Sequence, residues 1–281
     1  MRQSTKRILV NILKYFILIL IMLFLLFPIY WMVITSFKHN MESYLNPPTF
    51  FPQDFTWDGY KNLFNNYPEF FVYYKNNFIV SGISAVLVCI IAVFAGYALS
   101  RIKIKWNQYV IAFLIFSQMF PVVSRLISLY ALLRGVGLLN TLPGLILSIT
   151  AGQMPFSIIL MASFFDAVPK GIEEAAYVDG SGKVTTLFKV VLPLVVPGLL
   201  AVGIYSFLST WDDYLYASTL IQNDALRTLS TGITLRYLGE LSYDWSLVNT
   251  ISVVGTLPMV FVFFFFQKYM VKGLTAGAVK G

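Results

Sequence analysis

The chain has 281 residues, of which 58% are apolar and only 12% charged, with a formal net charge of +7 and a mean hydropathy of +0.74. Soluble domains carry about 25% charged residues, so this composition excludes that class. A basic excess on so apolar a chain points to an anionic membrane leaflet and gives no reason to invoke nucleic acid.

Six stretches contain no Asp, Glu, Lys or Arg: 15–37, 76–100, 106–124, 135–165, 190–211 and 245–267. Each reaches the roughly 18 residues that cross a ~30 Å hydrocarbon core as a helix. Lipid offers no partner to a bare N–H or C=O, so the spans are helical. The fold these stretches predict is an all-α integral membrane protein, a bundle of six transmembrane helices.

In chain order, the first stretch follows Arg2, Lys6, Arg7 and Lys14. It is too long for a signal peptide and has no small-residue cleavage site before Lys38, so it reads as a retained first span. The segment 38–75 holds Asn46-Pro47-Pro48, Pro52 and Trp57, a turn-rich stretch suited to capping a bundle. The only cysteine, Cys89, lies in the second stretch, cannot close an internal disulfide and is assigned to packing. In the third and fourth stretches Gln118 and Gln153 precede Pro121 and Pro155, a placement that predicts local helix breaks facing a water-filled path. With Asn249 in the last stretch they form the candidate substrate pathway; for these residues and Asn140, interhelical hydrogen bonding is the plainer role and the one the sequence favours. The segment 212–244 opens after Trp211 on Asp212-Asp213-Tyr214, carboxylates beside an interfacial aromatic.

Orientation follows from the placement of Lys and Arg. With the N-terminus inside, the inner segments hold thirteen basic residues and the outer ones seven, while acidic residues number four inside and nine outside. Both termini are then cytoplasmic, and 38–75 and 212–244 face outward. The longest inner segment joins the fourth and fifth spans.

Within that segment, Pro169 suits the first turn of a helix and Gly180 a left-handed position just past its end. The intervening helix is about 15 Å long. Three-and-four spacing puts Ile172, Ala175, Ala176 and Asp179 on one face, small enough for another backbone to approach. Ser181 is placed to cap a second helix with an apolar stripe of Val184, Leu187, Phe188 and Val191, ending at Leu192-Pro193.

From Glu174 the order is Glu-Ala-Ala, three residues, Gly180, nine residues, Val190, one residue, then Leu192-Pro193. This layout resembles the signature cytoplasmic loop of ABC importer permeases, with Val190 where isoleucine is common. Pro47-Pro48, Tyr60, Leu226-Arg227-Thr228-Leu229, Gln267-Lys268-Tyr269 and the tail from Gly273 to Gly281 extend the likeness over essentially the whole chain. They make it similar to the MalG-type subunit of carbohydrate importers. The resemblance implies a type I ABC importer permease: one transmembrane domain over 1–281 with a coupling helix in the loop 166–193. Glu173, Glu174, Ala175, Ala176, Asp179, Gly180, Leu192 and Pro193 would form that loop's ATPase-coupling set, and the tail from Thr275 would reach toward the ATPase interface. It further implies a prokaryotic cytoplasmic membrane, a second homologous permease, two ATPase subunits that bind ATP and Mg, and an extracytoplasmic solute-binding protein. The cargo would be a sugar or oligosaccharide, or, in the same architecture, a polyol, a glycerol phosphate ester or another small solute.

Competing chemistries lack their residues. Gly180-Ser181-Gly182-Lys183 is not a phosphate loop, because Tyr177 stands where that loop needs an earlier glycine and Val184 where it needs Ser or Thr. His39 is the only histidine, no Gly-x-Ser-x-Gly elbow occurs and no span holds a carboxylate, which leaves an intramembrane enzyme without a reactive set. The chain is therefore expected to carry no catalytic residue, metal or nucleotide of its own. A passive channel would have no use for a docking loop of this design.

Overall fold

The computed structural model describes residues 2–102, 105–237 and 244–278, with side chains at 7–102, 105–235 and 244–268. Lys103, Glu240 and the last three tail residues lie outside that set, as do the side chains of the tail from Thr275.

Helices account for most of it. They are α1 (Arg2–Thr35), α2 (Asp58–Asn66), α3 (Pro68–Arg101), α4 (Asn107–Gln118), α5 (Val122–Gly135), α6 (Leu142–Asp166), α7 (Lys170–Val178), α8 (Lys183–Thr186), α9 (Leu192–Leu194), α10 (Val196–Trp211), α11 (Leu215–Leu220), α12 (Leu229–Tyr237) and α13 (Trp245–Ala278). Among the described residues there is no strand. Four helices are long and apolar enough to cross a membrane singly, within Arg7–Thr35, Pro68–Arg101, Leu142–Asp166 and Trp245–Lys268.

The other two expected spans are bent. α4 has twelve residues, about 18 Å of helix, too little to cross a ~30 Å core. It meets α5 at 96° across Met119–Pro121, so the apolar stretch 106–124 is the first arm of a broken span. Pro121, at the N-cap of α5, has no N–H to continue the ladder from α4. The stretch 190–211 is broken as well: the helix from Lys183 to Leu194 turns by 80° into α10. A turn of π-helix over Leu187–Val191 precedes Pro193, and Pro197 lies in the first turn of α10. Pro155, by contrast, breaks nothing, because α6 runs through it without interruption. Up to six spans result if each bent pair counts as one.

The chain divides into two compact units. The first comprises Met1–Pro68 and Arg236–Leu257. Its α1 leaves the apolar side chains from Ile8 to Ile29 uncovered, Phe24 at 79% exposure, a surface that only lipid or another helix can cover. Past Thr35 the chain folds back on itself. Phe37 stacks on Phe55 at 4.7 Å and meets Trp57 and Tyr60 edge-on or tilted at 5.0 and 5.2 Å. The Ser36 hydroxyl lies 2.9 Å from that of Tyr60, and the backbone N–H of Trp245 donates to the Asn40 side-chain oxygen at 3.1 Å.

The second unit comprises Glu69–Leu235 and Pro258–Gly281. One of its cores is built from Val88, Ala92 and Val93 of α3, Met161 and Phe165 of α6, and Leu187, Val191, Val195 and Val202 of the bent fifth span. Within lipid these groups gain little from leaving their surroundings, so close packing must hold them together. Gly96 permits it: a Cβ there would sit 2.9 Å from the backbone nitrogen of Ala162, which brings α3 and α6 nearly into backbone contact. A second core at the other end joins Val80 with Leu133, Leu145, Ile146, Ile149, Ala217, Leu220 and Ile221. Asn140 organises that end. It adopts the left-handed conformation that asparagine tolerates, φ 59°. Its side-chain oxygen accepts the N–H groups of Gln222 and Asn223 at 2.9 and 2.8 Å. Asp213 begins α11 by accepting from the N–H of Ala217 at 3.0 Å, and burial pushes its carboxyl up to about 6.

Candidate functional site

The loop between α6 and α10 is the site built most specifically. α7 starts after Pro169, which serves as its N-cap. Its end is a Schellman turn: Gly180 donates to the Tyr177 carbonyl at 3.0 Å and Ser181 to the Ala176 carbonyl at 2.9 Å. Gly180 has φ +84°, as its position in the sequence requires, and a Cβ on it would meet nothing within 4 Å. Its constraint is therefore conformational, since no neighbour crowds it. Ser181 does not cap the next helix; Gly182 occupies that position without a side-chain hydrogen bond.

The faces of α7 separate residues that the helical spacing put together. Glu173 and Ala176 are buried, while Ile172, Glu174, Ala175 and Asp179 are exposed, and Val178 is 87% exposed. In the following segment Leu187 and Val191 turn into the core, whereas Val184 and Phe188 stay out. Leu192 is half-buried and Pro193 exposed. The outward surface is accordingly Glu174, Ala175, Val178 and Asp179, with Val184 farther along.

Glu173 has a different task. Its carboxylate accepts from the Tyr97 hydroxyl at 2.8 Å and pairs with the Nε of Arg101. The same guanidinium donates to the Val168 carbonyl at 2.9 Å and to the Ser100 hydroxyl at 3.0 Å, and Ser100 donates to Asp166 at 2.6 Å. Side-chain exposures of 9% for Arg101 and 6% for Glu173 leave the pair almost dry. In the sequence Arg101 is only one of the thirteen basic residues on the inner side. The overlooked signal is a glutamate three residues before an alanine that packs inward, the spacing of one buried helix face.

The polar residues of the spans act mostly as cross-links. Gln153 donates to the Thr210 hydroxyl at 3.0 Å and accepts from Ser206, which ties α6 to α10. Gln118, at the break after α4, donates to the Gly152 carbonyl at 3.1 Å. Asn249 donates to the Trp245 carbonyl at 2.8 Å within α13. Gln118 thus reaches α6 at Gly152, the position beside Gln153, while Asn249 belongs to the other unit. Among the described residues no three His, Cys, Asp or Glu side chains are placed to hold a metal.

The described helices include four long apolar spans, two broken ones and the capped helix α7 in the loop between α6 and α10. Residues 88–276 match the family of binding-protein-dependent transport system inner membrane components, and the chain belongs to that family. It is thus a permease subunit of ABC importers, a transport protein and not an enzyme. It is 38% identical to the sulfoquinovosyl glycerol transport system permease protein of Agrobacterium fabrum, over 91% of this chain and 89% of that one. With the trehalose/maltose transport system permease protein of Thermococcus litoralis it shares 31% identity over 94% of each. In fold it is similar to a chain in the crystal structure of a bacterial ABC transporter that imports the acidic polysaccharide alginate. That match has a TM-score of 0.82 and 23% identity, and covers 92% of this chain and 95% of that one.

Removing one partner of a buried ion pair leaves the other uncompensated, typically at about 3–5 kcal/mol. Arg101→Ala and Glu173→Ala should each loosen α7, read as faster tryptic cleavage at Lys170 and Lys183 in the purified protein. Arg101→Met with Glu173→Leu should recover much of the protection. Unchanged cleavage in both single variants would mean that the pair does not hold the helix.

Proposed function

We propose that this chain is the membrane-spanning half-channel of a sugar or oligosaccharide importer, and that α7 is the coupling helix through which ATP hydrolysis elsewhere moves it. The observation that carries the proposal is the division of α7. Glu173 and Ala176 fasten the helix inward, and the small and apolar side chains of Ala175 and Val178 are left for another subunit. A helix fastened in this way transmits a push as a lever would. The carbohydrate cargo rests on what the relatives are named for.

In the full assembly a second homologous permease completes the channel, two ATPase subunits bind ATP and Mg and dock on 166–193, and an extracytoplasmic solute-binding protein delivers the cargo. The chain works as one permease domain, with both termini cytoplasmic in a prokaryotic membrane and 38–75 and 212–244 outside. Closing of the ATPase pair drives α7 and rocks the bundle between inward-facing and outward-facing states. Each state is favoured by a different ligand, ATP on one side and loaded binding protein on the other. Gln118, at a break between helices, is the pathway residue this reading favours; Gln153 supports it from α6.

Two outcomes test the reading. Gly180→Val forces a β-branched residue into positive φ at about 1 kcal/mol or more, and Ala175→Leu enlarges the outward face. Both variants should reach the membrane at near-normal level, retain the second permease, bind the ATPase weakly and lose most transport; normal transport in both would contradict coupling through α7. For topology, single cysteines in a Cys89→Ala background should react with an impermeant thiol reagent at the exposed positions Asp54 and Asn223 in intact cells, and not at Lys183. Labelling of Lys183→Cys from outside would overturn the orientation.

A further inference from the structure

The first unit contains a cavity of about 230 Å³ where α1 ends, lined by Trp31, Thr35, Lys38, Glu42, Trp245 and Asn249 together with Ser43 and Pro48. Pockets for drug-sized ligands run to about 300–1,000 Å³, so this one limits an occupant to a group of monosaccharide size. Its chemistry is mixed. Two indoles supply flat apolar wall, and the polar groups between them are buried yet incompletely used.

Lys38 is 2% exposed. Its ammonium donates to the Thr49 carbonyl and lies 4.7 Å from the centroid of the Trp31 ring. Burial pushes its pKa down, and the Glu42 carboxylate opposes that shift. Glu42, 7% exposed, lines the cavity and accepts through Oε1 from the Thr49 hydroxyl at 2.5 Å and the Gln53 N–H at 2.9 Å, so that neither bond uses Oε2. The hydroxyls of Thr35, itself 4% exposed, and of Ser43 are buried without a hydrogen-bond partner. Asn249 uses its amide N–H on Trp245 and keeps its oxygen as an acceptor.

A buried hydroxyl without a partner is unfavourable, and here two lie in one chamber with an ammonium, a carboxylate and an amide oxygen. The opposed charges of Lys38 and Glu42 make the chamber neutral overall, which disfavours an anion or a cation. The walls call for a ligand with apolar faces and many hydroxyls that both donate and accept.

We propose that this cavity binds one neutral polyol of sugar-ring size, either a free sugar or the headgroup of a lipid. Its hydroxyls would donate to Glu42 Oε2 and Asn249 Oδ1, accept from Lys38 and exchange hydrogen bonds with Thr35 and Ser43. The site is remote in sequence from α7 and uses no residue of the coupling loop. Occupancy can therefore be measured without ATP and independently of transport.

The full-length protein, in discs of phosphatidylcholine alone, is titrated with methyl α-D-glucopyranoside while tryptophan emission is followed. Saturable binding is expected, with half-saturation raised at least five-fold in Thr35→Val/Ser43→Ala, which removes both hydroxyls and keeps the shape, and again in Asn249→Leu. In a second arm, discs containing monoglucosyldiacylglycerol, whose headgroup is a neutral sugar, should abolish the sugar response if the polyol is a lipid headgroup. That lipid should then be retained on extraction by the wild type and lost from the double variant. Unchanged thermal melting of the variants shows that the chamber still forms. The proposal is overturned if neither probe saturates the wild type, or if the double variant binds either probe as tightly as the wild type does.

Discussion

The Arg101 guanidinium stands where three pieces of chain end. Its own helix α3 stops there, α6 gives way to the loop at Val168, and α7 presents Glu173. One planar cation donates to the last two and to Ser100 beside it. An arginine fork suits this task because its donors point in fixed directions, whereas a lysine would offer one rotatable point charge. Taking such a pair out of water usually costs about as much as the attraction returns. Its consequence here is registry: the phase of α7 is set so that Glu173 and Ala176 face inward, and the outward side chains follow from that phase. The Schellman turn at Gly180 then ends the helix at a fixed point, and Leu187 and Val191 carry the chain back into the core.

The rest of the bundle answers a second constraint, that polar groups within lipid be satisfied from inside the protein. Threonine and serine hydroxyls along α10 and α13 fold back onto carbonyls one turn earlier, as Thr210 does to Ser206 and Thr250 to Ser246, both at 2.8 Å. Gln153 spans two helices, and Gln118 takes up a carbonyl beside the break that Pro121 makes. Where backbone approaches backbone, as at Gly96 against Ala162, the side chain is reduced to nothing. Such a close contact joins α3 to α6, while the bent spans are interrupted at 119–121 and at Val195.

Much of this was legible beforehand, and the part that was not has a common cause. Charge-free length announced the membrane class, and a glycine after a helical stretch announced its own positive φ, because both are local properties. Pro121 and Pro155 look alike in sequence, yet one ends a helix and the other sits within a helix of 25 residues; neighbouring helices decide which. Ala175 and Ala176 differ by one position and share a spacing class with Ile172, but face opposite ways. That phase is fixed by Arg101, 72 residues before Glu173, and helical periodicity within the loop carries no information about it. The family layout around Glu174 singles out the loop while leaving silent which of its residues look outward.

If the ion pair makes α7 a rigid extension of α3, the distance between them is the quantity to follow during the transport cycle. Spin labels on cysteines at Ile102 and Val178, both exposed, in a Cys89→Ala background would report it by pulsed electron resonance in the assembled importer. The account predicts that the distance stays within the ~1–2 Å of a packed-helix shift between nucleotide-free and ATP-trapped states. A change of one helical turn, ~5.4 Å or more, would mean that α7 moves against α3 and is not its lever.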